Sequence, residues 1–206
     1  MRTYPARSGP FPRALHYELD EIEDACLIAL DSVGLLPTTP SPVRIERFVE
    51  KRFSLTPEYR DDLPHGILGF TEIDATGPRR IVLNPSLAER RLRTTIAHEA
   101  GHCLLHSVLY RTGQADAILC RDTDIARESA YAGRWWEYQA NAAIGALLIP
   151  KPLLLPALAP HLRSSRAGGP LLPAKKATVA SETLAEVFDV NPVVARLRIE
   201  GLLSAV

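Results

Sequence analysis

Three cysteines in 206 residues, Cys26, Cys103 and Cys120, are too few and too odd in number to form a disulfide framework. They point to a reducing compartment, and a cytoplasmic location is expected. An excess of one charge is also missing: Lys plus Arg and Asp plus Glu each number 24, so the formal net charge is zero. No global field draws the chain to nucleic acid or to an anionic membrane, and any partner must be recognised locally. The longest strongly apolar stretch, NAAIGALLIPKPLLLPALAP, is interrupted by Pro150, Lys151, Pro152, Pro156 and Pro160, which excludes an unbroken spanning helix. The first residues, MRTYPARSGPFPRA, contain arginines but neither the apolar core nor the small-residue cleavage site of a secretory signal. There is no internal repeat and no glycine-rich phosphate loop. What is present is 46% hydrophobic residues, enough for a soluble chain of this length to bury a proper core.

Three parts are expected along the chain. Residues 1–42 read as a loose tail rich in Pro, Gly and Arg, followed by an amphipathic helix on which Leu15, Leu19, Ile22, Cys26, Ala29 and Val33 recur at spacings of three and four. Glu18, Asp20, Glu21, Glu23 and Asp24 are taken as its solvated face near the positive helix N-terminus, and Gly34 as its end. Residues 43–160 open with a second helix (VRIERFVEKRF), turn through SLTPEYRDDLPHG, and continue as two strands, ILGFTEID and RRIVLN, joined by ATGP as an antiparallel hairpin. A long helix through residues 94–106 follows, then irregular residues 109–132, then a helix in GRWWEYQANAAIGALLI. Residues 161–206 form a polar Gly/Pro-rich linker and a closing helix pair: Leu184, Val187 and Phe188 mark the first helix, while Asn191 as N-cap, Pro192 at the first position and Gly201 after the last turn bracket the second. The fold class is therefore α+β, mainly helical, with a small antiparallel sheet and a C-terminal helix pair.

Chemistry concentrates in TTIAHEAGHCLLH, residues 94–106. His98 and His102 lie one helical turn apart, about 6 Å along the axis, so both rings can reach one ion. Glu99 then stands beside that ion and can accept a proton from a water that the metal has acidified to a pKa of about 7. His106 lies two turns from His98, about 12 Å along the axis, and cannot share an ion with it on a straight helix. His106 is left either a structural, partly buried histidine capping the site or hydrogen-bonding within the fold, or a residue that supports the ligands or contacts substrate. A third ligand is sought on the next helix, where Glu137 shares a face with Ala140, small enough for close approach, and with Asn141, able to hydrogen-bond a ligand. Two histidines and a glutamate, with water completing a tetrahedron, form a hydrolytic zinc arrangement. A donor set of this kind accepts manganese as well. Gly101 costs about 1 kcal/mol against alanine in mid-helix and is tolerable where another element presses close beside the ligands.

GILGFTEID…RRIVLNPSLAERRLRTTIAHEAGHCLLH…WWEYQANAAIGALLIP resembles the ImmA/IrrE family of metallopeptidases, whose pattern joins a helical HExxH, a following leucine-histidine pair and a later ExxAN helix ending in LL-hydrophobe-Pro. The likeness covers residues 43–150 and extends to the closing LAEVFDVNPVVARLRIEGL. By position it puts His98, His102 and Glu137 on the family's metal ligands and Glu99 on its catalytic base. The departures are Ala100 after the motif glutamate, and Ala143-Ile144 where a phenylalanine-alanine pair is common. The resemblance implies a zincin-like zinc endopeptidase that cleaves one regulatory protein, a helix-turn-helix repressor or an antitoxin, in stress or mobile-element responses. The alternative is a metal-stabilised sensor that sequesters the regulator without turnover, though a pure scaffold does not need Glu99 beside its ion. An extended peptide is expected to pair with an edge strand at Arg80 to Asn84. Direct DNA binding by the terminal helix pair is disfavoured, because NPVVARL puts apolar residues where base contacts belong. Cys103 reads as core packing rather than a redox switch, and Cys120 in LCRDTD as a polar-loop thiol with no clear reason to be reactive.

Overall fold

The computed structural model describes residues 2–5, 13–74, 76–110, 116–121, 134–164 and 169–203, with the side chains of 110 and 116–121 excepted. Strand β1 (Arg2–Pro5) pairs antiparallel with β2 (Arg13–His16), so part of the expected tail is ordered backbone. Leu15 consequently belongs to β2, and helix α1 (Leu19–Ser32) begins later than the periodicity predicts. Leu19 is exposed, while Ile22, Cys26, Ala29 and Leu30 form the buried stripe. The backbone N–H of Glu18 donates to Glu21 Oε2 at 3.0 Å, capping the helix start. Gly34, at φ +67°, ends it as expected, its N–H donating to Asp31 O at 2.9 Å.

Helix α2 (Ile45–Phe53) buries Ile45, Phe48 and Val49. A short strand β3 (Glu58–Tyr59) then precedes β4 (Ile67–Asp74) and β5 (Gly77–Leu83), which pair antiparallel with a bulge between Glu72 and Ile73. The sheet order is β3-β5-β4-β6, where β6 (Asp116–Arg121) pairs antiparallel with β4. Two expectations change here. The sheet is not wholly antiparallel, because β3 runs parallel to β5 through Glu58 opposite Val82 and Tyr59 opposite Leu83. Arg80 to Asn84 is therefore covered by β3 at Val82 and Leu83, and among the described residues the outer strands are β3 and β6. Both strands lie in stretches read as turn or irregular, since two exposed residues in β3 carry no hydrophobic alternation.

Helix α3 (Glu89–Tyr110) lies on β4 and β5, and α4 (Trp135–Leu148) packs along α3. The chain bends by 56° between α4 and α5 (Lys151–Leu158), where Pro150 and Pro152 end one helix and open the next. No single helix among the described residues is long and apolar enough to cross a membrane. The polar linker carries a two-residue antiparallel pair, β7 (Arg163–Ser164) with β8 (Pro170–Leu171), and a 3-10 turn (Ala174–Lys176).

Helices α6 (Ala177–Phe188) and α7 (Pro192–Leu202) close the chain. Asn191 caps α7 as expected, its Oδ1 accepting from Val193 N at 2.9 Å, whereas Gly201 lies inside the helix instead of beyond it. One buried cluster runs through α1, α2, β5 and α3 to α7, including Leu30, Phe48, Leu83, Ile96, Leu147, Leu184 and Ile199. Glu23, read as part of a solvated face, is buried: both its carboxylate oxygens accept from the guanidinium of Arg198 on α7, Nη2 at 2.7 Å, and Arg198 Nε donates to Ile149 O at 3.0 Å.

Candidate metal centre

Helix α3 carries His98, Glu99, His102 and His106, and α4 carries Glu137, Gln139 and Asn141. The two helices approach closely at Gly101, where a β-carbon would stand 3.0 Å from Ala143 Cβ, 3.2 Å from Ala140 O and 3.3 Å from Ala140 Cα. That contact brings Glu137 over the first two histidines. His98 Nε2 and His102 Nε2 are 3.1 Å apart, His98 Nε2 and Glu137 Oε2 3.1 Å, and His102 Nε2 and Glu137 Oε2 3.6 Å. All three residues are buried, and together they form a group able to hold a metal ion.

The donor atoms fit such an ion. A tetrahedral zinc with bonds of roughly 2.0–2.1 Å separates neighbouring ligand atoms by about 3.3–3.4 Å, close to the observed triangle. Glu137 Oε2 is buried and, although within ion-pair distance of both rings, has no contact of hydrogen-bond geometry among the described residues. His98 Nδ1 lies 3.0 Å from Asn141 Oδ1, an acceptor, so the ring presents Nε2 as a lone pair. An acceptor oxygen and ring nitrogens converging at this range repel one another unless a cation or a proton lies between them. Burial raises the Glu137 carboxyl, but in acid, with no ion between them, the protonated His102 and His98 rings outweigh burial and hold the group well below the usual carboxylate range.

Glu99 is fully buried and sits outside this triangle, with Thr71 Oγ1 of β4 donating to its Oε2 at 2.5 Å. His106 is not among the converging atoms. It is wholly buried, its Nδ1 3.0 Å from His102 Nδ1 and its Nε2 3.0 Å from Gln139 Oε1. Burial, and then the neighbouring His102, depress its pKa to about 3 against the Gln139 hydrogen bond, so the ring is neutral. Cys103 is buried and its thiol pKa is pushed up, first by burial and then by Glu99, in keeping with a packing role. The Cys120 side chain lies outside the described residues.

Thr71 and Gln139 escaped the sequence reading. Thr71 is a polar residue on the inward face of β4, between Gly69 and Ile73, which is a detectable signal. Gln139 has no such signal, since a glutamine two residues after a ligand on a helix is unremarkable in sequence.

No curated protein matches the chain at a significant level. Among solved structures, a Mycobacterium tuberculosis transcriptional regulator is similar at a TM-score of 0.47 and 16% identity, over 85% of this chain and 45% of that one, so this chain spans less than half of that protein's length. The IrrE N-terminal-like domain family, peptidase M78, matches residues 46–200, a stretch holding both helices of the site and the sheet beneath them, and the chain belongs to that family.

Proposed function

We propose that the protein is a zinc-dependent endopeptidase that cleaves a specific regulatory protein, a helix-turn-helix repressor or an antitoxin, in the cytoplasm. The observation that carries this reading is the convergence of His98 Nε2, His102 Nε2 and Glu137 Oε2 in a buried site, with Glu99 adjacent but outside the ligand set. The family membership supports a metallopeptidase-like domain. Manganese fits the same donors. When bound, the ion supplies Lewis acidity, polarising the scissile carbonyl and acidifying water. His98, His102 and Glu137 hold it. Glu99 takes the proton from the attacking water and passes it to the departing amine nitrogen, so the carboxylate ends as it began. Thr71 holds Oε2 of Glu99 and thereby sets the carboxylate's orientation.

The test pairs wild-type protein and Glu99→Gln with a candidate helix-turn-helix repressor, with and without chelator, and follows the repressor's length on a gel. Glutamine keeps size and hydrogen bonding but cannot take the proton, so metal content persists while cleavage drops by about 10²–10⁴-fold. Equal cleavage by both removes Glu99 from the mechanism. Tight binding by both without cleavage, whichever metal is supplied, replaces the peptidase with a sequestering module.

A further inference from the structure

Gln139 faces two partners in opposite directions. Its Nε2 donates to the backbone carbonyl of Leu15 in β2 at 2.8 Å, and its Oε1 lies 3.0 Å from His106 Nε2. A carbonyl only accepts, so Leu15 decides which end of the amide points at His106. The amide oxygen also only accepts, so His106 carries its hydrogen on Nε2. A neutral imidazole has one N–H, which leaves His106 Nδ1 as a lone pair 3.0 Å from His102 Nδ1. His102 must then carry its hydrogen on Nδ1, and its Nε2 lone pair faces His98 Nε2 and Glu137 Oε2. Each link has one solution. The opposite arrangement, with His106 donating from Nδ1, would move the His102 hydrogen to Nε2 and place it where a cation must sit.

The far end of this chain is firmly held. Leu15 is buried in a second small cluster with Ile73, Leu109, Trp135 and Trp136. Trp135 meets the His106 ring edge to face at 5.5 Å, and Tyr17 Oη donates to Leu105 O at 3.4 Å. His98, by contrast, is oriented in a single step by Asn141.

We propose that His106 and Gln139 are positioning residues that lock His102 in its Nδ1–H tautomer, and that the Leu15 carbonyl anchors them, which makes β2 a working part of the metal centre. This rests on the metal-centre reading above. It reaches beyond residues 46–200, since Leu15 lies upstream of the stretch matched to the family.

The test uses the full chain and compares wild type with His106→Leu, His106→Asn and Gln139→Leu. Zinc affinity is read by competition with a chromogenic chelator, and thermal unfolding of the metal-free forms is read in parallel. Asparagine sets its Oδ1 near the former Nδ1 position and keeps an acceptor for His102; leucine does not, and both variants lose the ring packed on Trp135. His106→Leu and Gln139→Leu should bind zinc about 10–100-fold more weakly, and His106→Asn should recover most of the loss. Long-range proton–nitrogen correlation spectra of isotope-labelled, metal-free wild type should show hydrogen on His102 Nδ1 and His106 Nε2. Hydrogen on His106 Nδ1 overturns the proposal, as does unchanged affinity in Gln139→Leu, or equal losses in the two His106 variants that track their melting temperatures. Should the His106 variants fail to fold, Gln139→Leu and the wild-type spectrum decide. Wild-type protein that takes up no zinc refutes the metal-centre reading, while the hydrogen positions still decide the relay.

Discussion

Thr71 Oγ1 donates to Glu99 Oε2 at 2.5 Å, joining the central strand β4 to the glutamate that follows the first motif histidine. Thr71→Val keeps the shape of the side chain and removes the donor. Metal content should be unchanged, because Thr71 touches none of the converging atoms. Cleavage of the regulator should fall about tenfold or more as Glu99 loses its fixed orientation. Wild-type turnover in Thr71→Val would show that the hydroxyl plays no part in placing the base.

Metal uptake should depend on both helices. Changing Glu137 to Ala leaves two imidazoles facing an incomplete site, and metal per chain should drop sharply in this variant and in His102→Ala. Measurement is by elemental analysis after gel filtration. Full occupancy in Glu137→Ala, with an ordinary fold, places the third ligand elsewhere.

Gly101→Ala sets helix propensity against packing. Alanine favours the helix by about 1 kcal/mol, but its methyl would sit 3.0 Å from Ala143 Cβ and 3.2 Å from the Ala140 carbonyl. Backbone cannot swing aside as a flexible side chain does, so α4 must move and carry Glu137 with it. A net loss of about 1–3 kcal/mol is expected, with weaker metal binding. Chemical denaturation midpoints check the first effect; a more stable Gly101→Ala protein would show that the helices yield without cost.

Acid should weaken the metal-free protein through His106. Its pKa falls from an ordinary value near 6.5 to about 3 in the folded chain, so below the ordinary value the unfolded state binds the proton first. Stability therefore rises with pH across this window: the contribution is complete above about 6.5 and is lost as pH drops toward the folded value. The slope from this group can reach about 1.4 kcal/mol per pH unit. Denaturation midpoints against pH, with chelator present, should fall less steeply for His106→Asn than for wild type. Superimposable curves would mean that another group controls acid sensitivity.

The buried pair of Glu23 and Arg198 ties α1 to α7 beside the backbone carbonyl of Ile149. Glu23→Gln leaves a buried guanidinium without its compensating charge and should cost about 3–5 kcal/mol. Glu23→Leu combined with Arg198→Met should recover much of that, because removing both charges removes the desolvation cost. A double variant no better than Glu23→Gln contradicts this account.

Local periodicity and spacing made much of this molecule legible. The helix through residues 94–106, the exclusion of His106 by axial reach, the ends of α1 at Gly34 and of α7 at Asn191, and the close approach at Gly101 all follow from geometry within one or two helical turns, or from the backbone preferences of single residues. The convergence of Glu137 on two histidines was legible for the same reason, because its helix carries small and amide residues on the same face. Elsewhere the sequence was silent or misleading. Leu15 sits at helical spacing from Leu19 yet lies in a strand, and Glu23 belongs to an acidic run yet is buried. Strand β3 passes for a turn because two exposed residues show no alternation. Periodicity reports which face of an element is covered, not what covers it. The bonds that decided these cases join Gln139 to Leu15 across 124 residues and Arg198 to Glu23 across 175. Only the packed tertiary structure, in which each buried polar atom needs a partner from somewhere, chooses those partners.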